Sequence, residues 1–125
     1  MILGVGIDLC ETSRMEDALT DGRFLERFFT GEERAYILSR GKGAAESMAG
    51  HYAAKEAALK AMGCGIVLPL RDVSVAHDPH GAPYYVFSGK ARDRMRETGS
   101  ARMHLSITHS AGFAAAVAVL EGSSE

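Results

Sequence analysis

Phe113-Ala114-Ala115-Ala116-Val117-Ala118-Val119-Leu120 is apolar at every position, so as a strand it turns no polar face to water. Side chains alternate along a strand, and one that is small and apolar on both sides must be covered on both, by helices or by a neighbouring subunit. The turn residues Ser110-Ala111-Gly112 precede it. Before them residues 103–108 alternate strictly, with Met103, Leu105 and Ile107 pointing one way and His104, Ser106 and Thr108 the other. Two antiparallel strands in need of cover are therefore predicted at the end of the chain.

Cover comes from upstream. Residues 44–62 form the longest helical stretch, rich in alanine, free of proline and followed by Gly63 in position to end it. Residues 1–9 are apolar, with Gly4 and Gly6 marking a buried strand that another backbone approaches closely. Ser13 followed by Glu16 predicts a capping box that opens a short helix stopping near Gly22. Thr30 and Glu33 repeat the pattern for a second helix ending around Gly41. Residues 73–76 and 84–87 read as a hairpin about Asp78-Pro79-His80-Gly81, and residues 88–98 as a polar helix closed by Gly99. Only residues 122–125 read as a frayed tail. The fold class is α+β: one domain over residues 1–125, an antiparallel sheet packed against helices.

Composition narrows the function. With 125 residues, 46% hydrophobic and 24% charged, the chain has the balance of an ordinary globular protein with a single core. Fourteen basic against sixteen acidic residues leave a formal charge of −2, which excludes a strongly cationic nucleic-acid binder. Most of the basic residues are arginine, suited to forked contacts with phosphate or carboxylate. Cys10 and Cys64 have no metal-ribbon or redox spacing. Residues 1–9 lack a basic leader and meet Asp8 too early for a signal peptide, and the apolar run 111–120 is about half a bilayer span. A cytoplasmic protein with no membrane partner is expected.

Gly4-Val5-Gly6 lacks the third glycine of a dinucleotide fingerprint, since Leu9 stands there. Three other places can carry chemistry. Asp8 closes an apolar strand, where a carboxylate either caps the next turn or meets a cation. Tyr52, Glu56 and Lys60, at i, i+4 and i+8, share one helix face among alanines. Glu56 and Lys60 either form a solvated pair, or Glu56 joins Asp8 as two hard oxygen ligands for Mg²⁺ while Lys60 meets a phosphate. His109 stands at a strand-to-turn junction beyond Ser106 and Thr108, as a structural hydrogen-bonded residue or a binding group.

Taken in order, these pieces resemble the 4′-phosphopantetheinyl transferases, specifically the short holo-[acyl-carrier-protein] synthases. The resemblance is carried by Gly4-Val5-Gly6-Ile7-Asp8-Leu9, by Tyr52-Ala53-Ala54-Lys55-Glu56-Ala57 with Lys60, and by Gly63-Cys64-Gly65-Ile66. Gly81-Ala82-Pro83, Ser106-Ile107-Thr108-His109 and Arg23-Phe24-Leu25-Glu26-Arg27 complete it. The chain departs from the pattern at Tyr52, often Trp or Phe, at His51, where many members have Arg, and at Ala82. The resemblance implies Mg²⁺-dependent transfer of phosphopantetheine from coenzyme A to a serine of apo acyl carrier protein, releasing adenosine 3′,5′-bisphosphate, in fatty acid biosynthesis. It implies Asp8 and Glu56 as metal ligands and Glu56, Asp8 and Lys60 as catalytic residues. Lys60, Gly63, Gly65, Pro83, His109 and His51 would hold the coenzyme, and Arg14, Arg23, Phe24 and Arg27 would dock the carrier. It further implies a homotrimer with the coenzyme between protomers. The residues alone also leave open another Mg²⁺-dependent phosphotransferase or phosphohydrolase, and a non-catalytic trimeric binding module.

Overall fold

A computed structural model describes residues 1–63 and 67–123, with Ala101 described by its backbone alone. The elements in chain order are β1 (Ile2–Glu11), α1 (Thr12–Leu19), α2 (Arg23–Phe28), α3 (Gly31–Ser39), α4 (Ala44–Met62), β2 (Val73–His77), β3 (Pro83–Phe87), α5 (Gly89–Glu97), β4 (Ser100–Ser110) and β5 (Phe113–Gly122). The first and last strands meet: the main sheet is antiparallel in the order β1-β5-β4, and β2 and β3 form a separate hairpin. Asp8 pairs with Ala116 and Ile107 with the same Ala116 from the other side, so β5 is central.

α4 lies across one face of this sheet. It buries Cys10 of β1, Ala114, Ala116, Ala118 and Leu120 of β5, and its own row of alanines. The two glycines of β1 explain the contact. A Cβ built on Gly6 would lie 1.9 Å from the Ala57 carbonyl oxygen, and one on Gly4 2.0 Å from that of Ala61. Strand and helix backbones thus touch directly, which is the close approach expected of this strand. The opposite face of the sheet is open: Val5, Ile7 and Leu9 are about 60% exposed (59%, 65% and 61%). Both faces of β5 are apolar, and α4 covers only one.

Three expectations at the ends of elements are corrected. Ser13 does not cap α1. β1 runs on to Glu11, and the helix starts at Thr12 without a side-chain cap, its first amide bonded to the Gly112 carbonyl at 2.9 Å. The first helix stops before Gly22 as expected, but beyond that glycine, at φ +76°, the chain adds an unexpected helix, α2, before Thr30. Gly122 is not part of a tail, since its amide donates to the Met1 carbonyl at 2.8 Å and extends β5. The Thr30–Glu33 capping box forms as expected: the Thr30 hydroxyl accepts from the Glu33 amide at 3.2 Å, and the Glu33 carboxylate from the Thr30 amide at 3.0 Å. The hairpin turn also forms, with Asp78 Oδ1 accepting from the amides of His80 and Ala82 at 2.8 and 2.9 Å.

Candidate functional site

The register of β1 decides where Asp8 points. Residues alternate across the sheet, so Asp8, two beyond Gly6, shares the face that meets α4. Lys60 reaches back to it: Nζ donates to Asp8 Oδ1 at 3.1 Å and to the Ile7 carbonyl at 3.0 Å. Asp8 is the more enclosed partner, its side chain 19% exposed against 55% for Lys60. The helical i, i+4 pair of Glu56 with Lys60 is not among the ion pairs of the described residues, because Asp8 takes the lysine instead. Glu56 is half-buried, and its carboxyl is pushed above the usual carboxylate value, first by burial and then by the negative charge of Asp8; Lys60 and Arg14 pull it back. Asp8 and Glu56 are therefore two carboxylates of one neighbourhood, in which burial outweighs the nearby positive charge at Glu56.

Arg14 belongs to the same neighbourhood, its guanidinium 5.0 Å from the centre of the Tyr52 ring. Tyr52 in turn packs 5.6 Å from Phe24, joining α2 to α4 one turn ahead of Glu56. Phe24 is half-buried, in edge contact with Phe28 at 4.8 Å, so it forms the wall of a groove rather than an exposed anchor. Arg27 lies over Phe28 at 5.2 Å, while Arg23 turns toward Asp21 at 3.6 Å, the pairing expected of a solvated face. The groove between α1 and α2, about 490 Å³, is lined by Arg23, Phe24 and Arg27 together with Asp17 and Asp21.

A second cluster gathers His51, Pro83 and His109 around a pocket of about 340 Å³ that none of Asp8, Glu56 and Lys60 lines. Its walls come from α3, α4, the hairpin and the end of β4. Gly50 lets β4 come near: a Cβ there would lie 3.0 Å from His109 Nε2. That nitrogen donates to the Glu46 carbonyl at 3.0 Å, so Nε2 carries a proton. His51 lies beneath the pocket surface. It is 1% exposed, and burial, with the nearby charges of His77 and Lys55, holds its imidazole down to about 3. It is neutral, so its 3.8 Å approach to Glu33 is not an ion pair. Its Nε2 shares a proton with His77 Nε2 at 2.9 Å, one ring donating and the other accepting.

Behind His51 sits a pair that the sequence did not disclose. Lys55 and Glu33 are fully enclosed, and Lys55 Nζ donates to Glu33 Oε1 at 2.7 Å, to the Val73 carbonyl at 2.8 Å and to the Leu70 carbonyl at 2.9 Å. Glu33 also accepts from the Val75 amide at 3.0 Å, so one carboxylate caps α3, holds α4 and fixes β2. Tyr36, Arg40 and His77 likewise carry no local signal of their own. Tyr36 and Arg40 lie three and seven positions after Glu33, a helical spacing that, with Glu33 known to be buried, would have marked them. Gly63 ends α4 at φ +130°, while Gly65, with Cys64 and Ile66, lies outside the described residues.

The family model described as the 4′-phosphopantetheinyl transferase superfamily matches residues 4–118. A holo-[acyl-carrier-protein] synthase of Treponema denticola is 49% identical over 123 residues, covering 98% of this chain and 100% of that one. The crystal structure of a holo-(acyl-carrier-protein) synthase from Bacillus anthracis, in complex with coenzyme A (3′,5′-ADP), superposes with a TM-score of 0.81 at 39% identity, covering 98% and 99% of the two chains. That of the Helicobacter pylori holo-[acyl-carrier-protein] synthase with coenzyme A gives 0.79 at 34% identity, covering 94% and 99%.

Proposed function

The chain belongs to the 4′-phosphopantetheinyl transferase superfamily, among the holo-[acyl-carrier-protein] synthases, and on that premise we propose that it converts apo to holo acyl carrier protein with coenzyme A as donor. The observation that carries the site assignment is the electrostatic state of Glu56. Asp8 of β1 and Glu56 of α4 face one strand–helix seam, where burial first and the charge of Asp8 second raise the cost of ionising Glu56. Among the described residues no third acidic or imidazole group joins them. Two hard oxygens with room for further ligands suit Mg²⁺, which is held by few protein carboxylates and completed by phosphate oxygens and water.

Asp8 and Glu56 would hold the ion, and when bound it would supply charge neutralisation for the pyrophosphate of the donor. Lys60, half exposed on Asp8 at 3.1 Å, is placed to swing to a phosphate oxygen and offset the charge of the leaving group. Glu56, with its basicity raised by burial and by Asp8, is suited to accept the proton of the attacking serine. The serine oxygen then bonds the β-phosphorus of the donor, and adenosine 3′,5′-bisphosphate leaves. The 340 Å³ pocket beside α4, with Pro83 and His109 on its wall, would take the adenosine end of the donor.

The pocket and the carboxylates line different faces of α4, and the sheet leaves an apolar face open. A trimer with coenzyme A bridging neighbours would join these features. The groove of α1 and α2 would dock the carrier. No helix of the described residues is long and apolar enough to cross a membrane, which fits a cytoplasmic place in fatty acid biosynthesis. The test is mass spectrometry of an apo acyl carrier protein incubated with the protein, coenzyme A and Mg²⁺. Gain of one phosphopantetheine on the serine, with release of adenosine 3′,5′-bisphosphate, is the expected result; an unchanged carrier mass would overturn the reading.

A further inference from the structure

Where α4 is buried it is a smooth helix. Most of its buried residues are alanine or glycine, and the exceptions are Met48, His51, Lys55 and Met62. The seam with β1 is smoother still, since Gly4 and Gly6 present no side chain to Ala61 and Ala57. Interdigitating side chains are what normally fix how far a helix slides and turns on its neighbour, because ridges must seat in grooves. Alanine rows against a glycine strand allow close approach and supply little of that lock. A slip of one residue moves a helix about 1.5 Å along its axis and turns it about 100°. Such a slip would part Glu56 of α4 from Asp8 of β1.

A directional anchor lies on the other side of the helix. Lys55 is two positions before Ala57, about 200° round the axis from the seam. An ammonium has three donors, and all three of Lys55 are used: on Glu33 Oε1 of α3 at 2.7 Å, on the Val73 carbonyl of β2 at 2.8 Å, and on the Leu70 carbonyl before β2 at 2.9 Å. Glu33 is fixed in turn by the amides of Thr30 and Val75, each at 3.0 Å. Both side chains are fully enclosed, so water does not compete for these bonds. The other large buried residues of α4 constrain it less. Methionine fills gaps without fixing a register, and His51 contributes one hydrogen bond, to His77. A buried ion pair is a weak stabiliser, because desolvation offsets its attraction, and its better-attested use is to select one arrangement among several.

We propose that the Glu33–Lys55 pair is a positioning device for the reaction: it sets the slide and rotation of α4 and so holds Glu56 at the Asp8 seam. The proposal rests on the reading of Asp8 and Glu56 as the reacting carboxylates. Lys55→Met keeps the length of the side chain and removes its three donors. It also leaves Glu33 as an uncompensated buried charge, which alone can unfold the chain. It is therefore paired with the double variant Glu33→Gln/Lys55→Met, in which the charge is gone and glutamine keeps the capping box of α3.

Three quantities are compared with wild type: the melting temperature, kcat/KM for transfer, and the nuclear Overhauser contacts of Gly6 with Ala57 and of Gly4 with Ala61, recorded without metal or substrate. The double variant should melt near the wild-type temperature. Its kcat/KM should nevertheless fall about 10²-fold, the effect of a misplacement of about 1 Å, and both seam contacts should weaken. A folded variant with native kcat/KM, or a lowered rate with both seam contacts at native strength, overturns the proposal. So does a rate that recovers in step with the melting temperature from the single to the double variant, the mark of a purely structural pair. A wild type that transfers nothing to the carrier, with seam contacts that still depend on Lys55, would overturn the proposed reaction and leave the positioning of α4 standing.

Discussion

Asp8 and Glu56 are neighbours because two glycines let a strand lie on a helix backbone, and their chemistry follows from that contact. If they hold one ion as a unit, Asp8→Ala and Glu56→Ala should each lower kcat/KM by about 10²- to 10⁴-fold, the range of a lost acid–base or ligand role. The double variant should be little worse than either single one; steady-state kinetics of the three, each checked for a native circular dichroism spectrum, decides this. A second expectation follows from the raised carboxyl of Glu56. Its ordinary value is 4.5, and the folded value lies above it, so the fold favours the protonated form. That contribution to stability is whole below the ordinary value and is lost as pH rises through the raised one. Ionising Glu56 therefore costs the fold stability as pH rises, and Glu56→Gln should have the higher melting temperature at neutral pH. The difference should vanish near pH 4, and thermal melts at the two pH values without divalent metal measure it.

At the scale of elements, α1 and α2 form a short pair set against α4 through Tyr52, Phe24 and Arg14. In the proposed reaction the carrier, an acidic protein, would meet the arginines of this pair, Arg14, Arg23 and Arg27, which stand among as many acidic residues. Arg27 is the cleaner probe of docking, because it lies over Phe28 and is not among the causes that shift the Glu56 carboxyl. Arg27→Glu should raise KM for the carrier about 5-fold, in line with roughly 1 kcal/mol for an exposed contact, and leave KM for coenzyme A unchanged. Arg14→Glu should act on both carrier KM and kcat, since Arg14 also lowers the carboxyl of Glu56. Added salt should weaken carrier binding in the wild type and less so in Arg27→Glu, because exposed charges are screened over about 10 Å at 0.1 M.

For the whole molecule, the open face of the sheet is the surface that the proposed trimer would cover. Val5, Ile7 and Leu9 of β1 are exposed, with Val117 and Val119 of β5 beside them in register. An apolar face of this kind on a small domain calls for a partner, and a cyclic trimer would cover it on every copy. Val117→Asp should dissociate the assembly, seen as a fall from trimer to monomer mass by light scattering, with loss of transfer activity. A wild type that is monomeric at micromolar concentration and fully active would contradict the trimer.

What the sequence determined by itself was local or periodic. The alanine-rich, proline-free run and the terminal glycine placed α4 at 44–62, the Thr30–Glu33 box placed the start of α3, and the alternation of 103–108 placed the inner and outer faces of β4. Gly4 and Gly6 announced a close backbone approach, though not that the partner would be Ala57 and Ala61. The tertiary structure alone decided the partners. Lys60 reads locally as the i+4 partner of Glu56, yet it bonds Asp8 from 52 residues away, because β1 docks along the helix. Lys55 and Glu33, 22 apart, and His51 and His77, 26 apart, meet only when α3, α4 and β2 converge. Burial then settles the charge of His51, which desolvation makes neutral, and no local pattern carries information about how much water packing removes.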